Sequence, residues 1–232
     1  MVVRIILVNG SPRKDGNTAR LLQVAAEGAK EIGDIKIIHL IDYKILPCIG
    51  CVSDEEKLCR YPCVIEDDMK EIYEQIIYSD GMIFASPIYW YSPSGIMKNF
   101  IDRLTALENM VIHEGRSRLE GKVCGVIAVG NDSGSIQLIS TLLTTFVTMG
   151  FVIPPWSVAY YHAMGNVLDD EETCRDAYNV GRSVSLMAKT LKEVGDVRWY
   201  SNVGIKELIS KTSIPPDVDY QQRADKLRQI WR

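Results

Sequence analysis

Short β-branched runs alternate along this chain with longer amphipathic stretches of helical period, and that alternation leaves few folds open. Residues 3–8 read as a first strand and 35–40 as a second. Further strands are expected at 81–85, 123–129 and 151–160, the last disturbed at its start by Pro154 and Pro155. Between them lie helical patterns at 18–32, 67–78, 94–107 and 134–149, with a closing helix at 170–194. In the first of these, Leu21, Leu22, Ala25, Ala29 and Ile32 share one face. Strands separated by helices pair in parallel, through right-handed crossovers that cover both faces of the sheet. Such a sheet takes its ligands beyond the carboxyl ends of its strands, where the strand order reverses.

The 232 residues suit one α/β domain with an extension, divided at 1–200 and 201–232. In the extension Leu227, Ile230 and Trp231 form a stripe that packs either on its own subunit or on another. Hydrophobic residues, at 47%, are numerous enough for a full core. A net charge of −4 with no basic block argues against a nucleic-acid partner. No leader pattern opens the chain, and no apolar run approaches the ~18 residues that span a bilayer. The expectation is a cytoplasmic protein with no membrane partner, whose six cysteines serve as thiols or metal ligands before disulfides.

The unusual residues fall where such a sheet would put a ligand. After the first strand, Gly10-Ser11-Pro12-Arg13-Lys14-Asp15-Gly16-Asn17-Thr18 delivers hydroxyls, an amide and glycines to a helix N-terminus, which favours an anion. Neither G-x-x-x-x-G-K-S/T nor G-x-G-x-x-G is present, so a single phosphate monoester is the natural guest; the plainer reading is a loop whose polar residues cap the helix. After the third strand, Tyr89, Trp90 and Tyr91 stand between Pro87 and Pro93, a setting for a flat heteroaromatic ring addressed by backbone groups of residues 87–90. After the fourth comes Gly130-Asn131-Asp132-Ser133-Gly134. Lys98, Asp102 and Arg103 read as surface or subunit-contact charges.

Four pieces, in this order, resemble the NAD(P)H-dependent FMN reductase family and, within it, the iron–sulfur flavoprotein branch. They are Gly10-Ser11-Pro12-Arg13 with Gly16-Asn17-Thr18; Cys48-Ile49-Gly50-Cys51; Cys63 leading to Asp67-Asp68-Met69; and Ser86-Pro87-Ile88-Tyr89-Trp90 with Met97-Lys98 and Asp102-Arg103. The resemblance spans roughly residues 1 to 150. It implies a flavodoxin-like three-layer sandwich around a five-stranded parallel sheet of order 2-1-3-4-5. It implies FMN, with the phosphate on Ser11, Arg13, Asn17 and Thr18. The isoalloxazine would lie along Pro87, Ile88, Tyr89 and Trp90, and Gly130, Asn131 and Asp132 would close its far side. It also implies a homodimer or homotetramer.

Cys48, Cys51, Cys59 and Cys63 form a compact set suited to an iron–sulfur cluster or a four-cysteine zinc site. In the resembling branch, cysteines spaced C-x2-C-x2-C-x4–7-C hold a 4Fe-4S cluster. Here the spacing is C-x2-C-x7-C-x3-C, and Asp54 stands at the third position. Either Cys59 substitutes through an inserted loop, or the segment carries free thiols beside the flavin. Cys124 and Cys174 read as small buried hydrophobes, and His39, His113 and His162 as structural or exposed.

The reading that follows is an oxidoreductase in which NAD(P)H passes hydride to bound FMN and the electrons go on to a flavin, a quinone or a metal acceptor. No general acid or base is assigned, since flavin chemistry needs none from the chain. An electron carrier fed by a ferredoxin-like donor through the cluster is the second reading, and a flavin-free interaction module the third.

Overall fold

A computed structural model describes residues 2–201, 204–211 and 219–230, which fall into two compact units, Met1–Trp199 and Tyr200–Arg232. In the first unit the chain runs β1 (Arg4–Asn9), α1 (Asn17–Lys30), β2 (Asp34–His39), α2 (Met69–Ile77), β3 (Gly81–Tyr89), β4 (Ser92–Pro93) and α3 (Gly95–Arg103). It continues through α4 (Thr105–Glu108), α5 (Met110–Glu114), β5 (Val123–Gly130), α6 (Ser135–Thr148), β6 (Val158–His162) and α7 (Glu171–Val194).

The fold is flavodoxin-like α/β. One correction concerns the sheet: among the described residues it has six strands, not five in the order 2-1-3-4-5. Its hydrogen-bonded path is β2-β1-β3-β5-β6, with two-residue β4 bonded to β3. The path strands are all parallel, and β4 is antiparallel. The physical reason is the length of β3. Ser86 and Pro87 keep pairing with Ala128 and Val129 of β5, and the chain then folds back so that Tyr89 faces Ser92. At the other edge, β6 starts at Val158, later than expected, because two consecutive prolines supply no ladder N–H; before them only Val152 bridges to Val123.

Strand alternation sends side chains to two cores. On one face Ile6, Val8, Met82, Phe84 and Val126 meet Ile72, Phe100 and Phe146 of α2, α3 and α6. Phe84 stacks on Phe146 with centroids 4.0 Å apart, so truncating it to alanine should cost about 3–5 kcal/mol. On the other face Ile5, Leu7, Ile83 and Ile127 meet Leu21 and Leu22 of α1 and Val180 and Val184 of α7. There α1 and α7 touch backbone to backbone: a Cβ on Gly28 would lie 2.0 Å from the Tyr178 carbonyl oxygen, and one on Gly181 1.8 Å from that of Ala25.

The second unit contains α8 (Ile205–Ser210) and α9 (Tyr220–Ile230). Leu227 and Ile230 are exposed on α9, and Trp231 lies outside the described residues. Among the described residues no helix is long and apolar enough to cross a membrane.

Candidate functional site

Three strand ends meet in one cavity of about 330 Å³, a volume within the ~300–1,000 Å³ of small-molecule sites. Its lining is Ser11, Arg13, Gly16, Asn17 and Thr18 after β1, Pro87, Ile88 and Tyr89 at the end of β3, and Val129, Gly130, Asn131 and Asp132 at the end of β5. Trp90, the remaining residue of the expected cradle, is outside the lining and 93% exposed.

The cradle is fastened from below. Asn9, at the last position of β1, accepts the Ser11 N–H on Oδ1 at 3.0 Å, while its Nδ2 faces His39 Nδ1 at 2.9 Å. An amide nitrogen donates there, so His39 is neutral at Nδ1; burial, then the neighbouring Lys14, lowers its pKa. Ser94 caps α3 by accepting the Met97 N–H, and its hydroxyl donates to the Gly10 carbonyl at 2.5 Å. Gly10 is required by this approach, because a Cβ would stand 2.7 Å from the Met97 side chain. At the N-terminus of α1 no side chain caps Gly16 and the first turn holds no acidic residue. Thus the dipole and free N–H groups of a fourteen-residue helix face the cavity beside Arg13. That donor set fits a phosphate.

Asn17 behaves differently from the expectation. Its amide is committed to the loop after β6, donating to the Gly165 carbonyl at 2.7 Å and accepting the Val167 N–H at 3.3 Å. Arg20 adds a bond to Asn166 at 2.8 Å. This loop beside the N-terminus of α1 was not legible as part of the site, since 146 residues separate Thr18 from Gly165.

The β3–β4 hairpin carries strain. Trp90 and Tyr91 both have positive φ, at 50° and 65°, between the paired Tyr89 and Ser92. Such turns usually hold Asn-Gly, and each bulky residue in this region costs on the order of 1–2 kcal/mol. The turn holds Tyr91 against Gly134, where an added Cβ would approach the Tyr91 ring to 2.8 Å and Ile88 to 2.9 Å. The strain thus joins the β3 end to the loop after β5, at the edge of the cavity.

The cysteine segment hangs from a buried neck. Arg103 is not a surface charge: its side chain is 1% exposed and forms a two-armed ion pair with Asp67 at 2.6 and 3.1 Å. Its Nη1 also donates to the Leu46 carbonyl at 3.1 Å, and the Leu46 N–H donates to Asp67 at 2.8 Å. Residues on both sides of the segment are thereby stapled together. Burial pushes the Asp67 carboxyl up, but Arg103 and the N–H groups of Leu46 and Met69 outweigh it and hold it below the usual range. By contrast Lys98 and Asp102 are the expected exposed pair.

All six cysteines are free. Cys59 is buried, and burial, then Cys51, Cys48 and Cys63, push its thiol up to about 12. Among the described residues no three His, Cys, Asp or Glu side chains stand where together they could hold a metal ion. What fits a cluster is the chemistry of the donor set, four soft thiols within sixteen residues. The Gly50 N–H, on a residue with φ of 70°, donates to Cys48 Sγ at 3.4 Å. Cys124 is fully buried in the core and Cys174 half-buried.

The sequence matches the family model described as NADPH-dependent FMN reductase over residues 3–164. An iron–sulfur flavoprotein of Methanocaldococcus jannaschii is 30% identical over an aligned length of 205 that covers 82% of this chain and 100% of that one. A Bacillus subtilis protein named as an NAD(P)H-dependent FMN-containing oxidoreductase is 30% identical across 73% of this chain and 92% of its own. In fold the chain is similar to RosB, solved with a bound riboflavin 5′-phosphate derivative, at a TM-score of 0.69 and 17% identity over 94% of this chain and 92% of that one.

Proposed function

This chain belongs to the NADPH-dependent FMN reductase family, and on that premise we propose that the strand-end cavity holds FMN and that the oxidising substrate is met at the same mouth. It is an FMN-dependent oxidoreductase with NAD(P)H as co-substrate. When bound, FMN supplies the redox chemistry: hydride from NAD(P)H in, electrons out to a flavin, a quinone or a metal acceptor. Family membership sets aside the flavin-free module.

The chain's own residues bind and orient. Ser11, Arg13, Thr18 and the N–H groups opening α1 would take the phosphate, while Asn17 fixes the 165–167 loop beside it. Pro87, Ile88 and Tyr89 would offer the ring an edge of backbone donors and acceptors, and Gly130, Asn131 and Asp132 would bound its other side. The observation that carries this reading is the convergence of the three strand ends on one cavity. Fluorescence titration tests it. FMN should bind about a hundredfold more tightly than riboflavin, which lacks the phosphate, and the Thr18→Ala variant should lose part of that preference. Equal affinity for the two flavins in the wild type would remove the phosphate site.

A second component is favoured by four free thiols in one short segment: Cys48, Cys51, Cys59 and Cys63 would hold an iron–sulfur cluster, which supplies one-electron transfer. A ferredoxin-like donor would then feed the flavin. Stoichiometric iron and broad visible absorption that bleaches with dithionite would support it; flavin bands alone would leave the plain reductase.

A further inference from the structure

The spacing of the cysteines departs from the branch this chain resembles, and a device sits at the departure. Asp54, at the third-cysteine position, is exposed. Past Cys51 the chain makes two single 3-10 turns, Cys51–Ser53 and Glu56–Leu58, then returns inward to bury Cys59 at 6% exposure. A seven-residue spacer has no reason of its own to close in this way. Loop closure and side-chain ordering both oppose it.

Asn109 supplies the reason. It lies between α4 and α5, is itself 6% exposed, and donates from Nδ2 to the carbonyls of both Glu56 and Cys59 at 2.7 Å. Two carbonyl oxygens fix the amide's orientation, since the flipped amide would set oxygen against oxygen. One turn further along, His113 places Nε2 3.0 Å from the same Cys59 carbonyl, which calls for a proton on Nε2. The Tyr61 N–H, two residues past Cys59, lies 3.3 Å from Met110 Sδ. One edge of the α4–α5 segment therefore grips the loop before, at and after Cys59.

We infer that Asn109 is a positioning residue for Cys59, and that Asn109 with His113 makes Cys59, instead of residue 54, the third thiolate of the set. The inference rests on the cluster reading above. The clamp acts on backbone, which is the part of Cys59 that the long spacer would otherwise leave free. It orders the loop before any metal arrives, so that less freedom is lost when one binds.

The test uses the full chain, reconstituted anaerobically with ferrous iron and sulfide, together with the metal-free protein probed by iodoacetamide and mass spectrometry. Wild type should take up about four irons, and Cys48→Ser and Cys59→Ser should not. Adding Asp54→Cys to Cys59→Ser should restore nothing, because position 54 faces solvent. Asn109→Ala should keep its FMN and its native circular dichroism, yet lose iron to a chelator about tenfold faster. In the metal-free protein the same variant should alkylate about tenfold faster at Cys59 alone, with Cys48 and Cys51 unchanged. Should that variant fail to fold, His113→Ala removes one of the two donors from an exposed side chain, and smaller changes of the same sign are expected. Wild-type iron retention with unchanged Cys59 alkylation in whichever of these variants folds overturns the positioning role and leaves the cluster reading intact. Rescue by Asp54→Cys overturns the choice of Cys59. A wild type that takes up no iron ends the cluster reading and this inference with it.

Discussion

The two candidate cofactor regions are built in opposite ways. The flavin cradle draws its groups from three strand ends, with Ser11 and Asp132 separated by 120 intervening residues, and the sheet register sets their spacing. The cysteine segment draws all four thiols from residues 48–63, and the register sets nothing about it. It is fastened from outside by Arg103–Asp67 at the neck and by Asn109, His113 and Met110 at the far turn. A site assembled by the fold takes its spacing from the sheet, with Asn9 and Ser94 as fastenings, whereas a site assembled by local sequence takes its geometry from anchors elsewhere in the molecule. In this chain the anchors are buried polar groups, which are strong only while every partner is present.

The largest expected effect lies at the neck. Asp67→Ala leaves the Arg103 charge buried without its partner, and the protein should lose about 3–5 kcal/mol in urea unfolding. Replacing both, as Asp67→Leu with Arg103→Met, should recover much of that loss; if it does not, the neck needs its charges for more than balance. The same pair sets an acid limit. The folded Asp67 pKa is depressed, so its stabilisation is complete above the ordinary carboxyl value of 3.8 and is lost as pH falls through the folded value. The Asp67 contribution to acid unfolding should therefore appear below about pH 4 and vanish in the double variant.

A smaller effect is expected in the cradle. Gly10→Ala would press a methyl onto Met97 and should cost about 1–3 kcal/mol, with weaker FMN binding in the same titration. Gly95→Ala meets nothing within 4 Å and is the matched control, expected near neutral. A large loss at Gly95 would mean that the cradle tolerates no change at all, and would erase the distinction between fold-built and anchored sites.

Relieving the hairpin should act in the other direction. Trp90→Asn with Tyr91→Gly suits both positive-φ positions and should raise stability by about 1–2 kcal/mol, read as a higher Tm. If turnover falls while stability rises, the strained aromatic turn serves the site. The smallest effect concerns His39, whose depressed pKa places its contribution fully above the ordinary value of 6.5 and removes it as pH falls through the folded value. Protonation at Nδ1 would oppose the Asn9 amide that holds the Ser11 N–H, so FMN affinity should weaken on going from pH 7 towards 5. His39→Gln should flatten that dependence.

By itself the sequence determined the alternation of strands and helices, the loops that would face a ligand, and the residue types of the cradle. Side-chain periodicity and loop chemistry are local properties, so Ser11, Ile88 and Gly130 announce themselves without a partner in view. What only the tertiary structure decided is where groups far apart in the chain meet. Arg103 looked like one more charge on an amphipathic helix, and burial against Asp67 made it a structural ion. Asn17 looked like a phosphate donor until the loop after β6 came to occupy its amide. Asn109 carried no signal at all, because a hydrogen bond to a backbone carbonyl fifty residues away leaves no trace in the pattern of either segment.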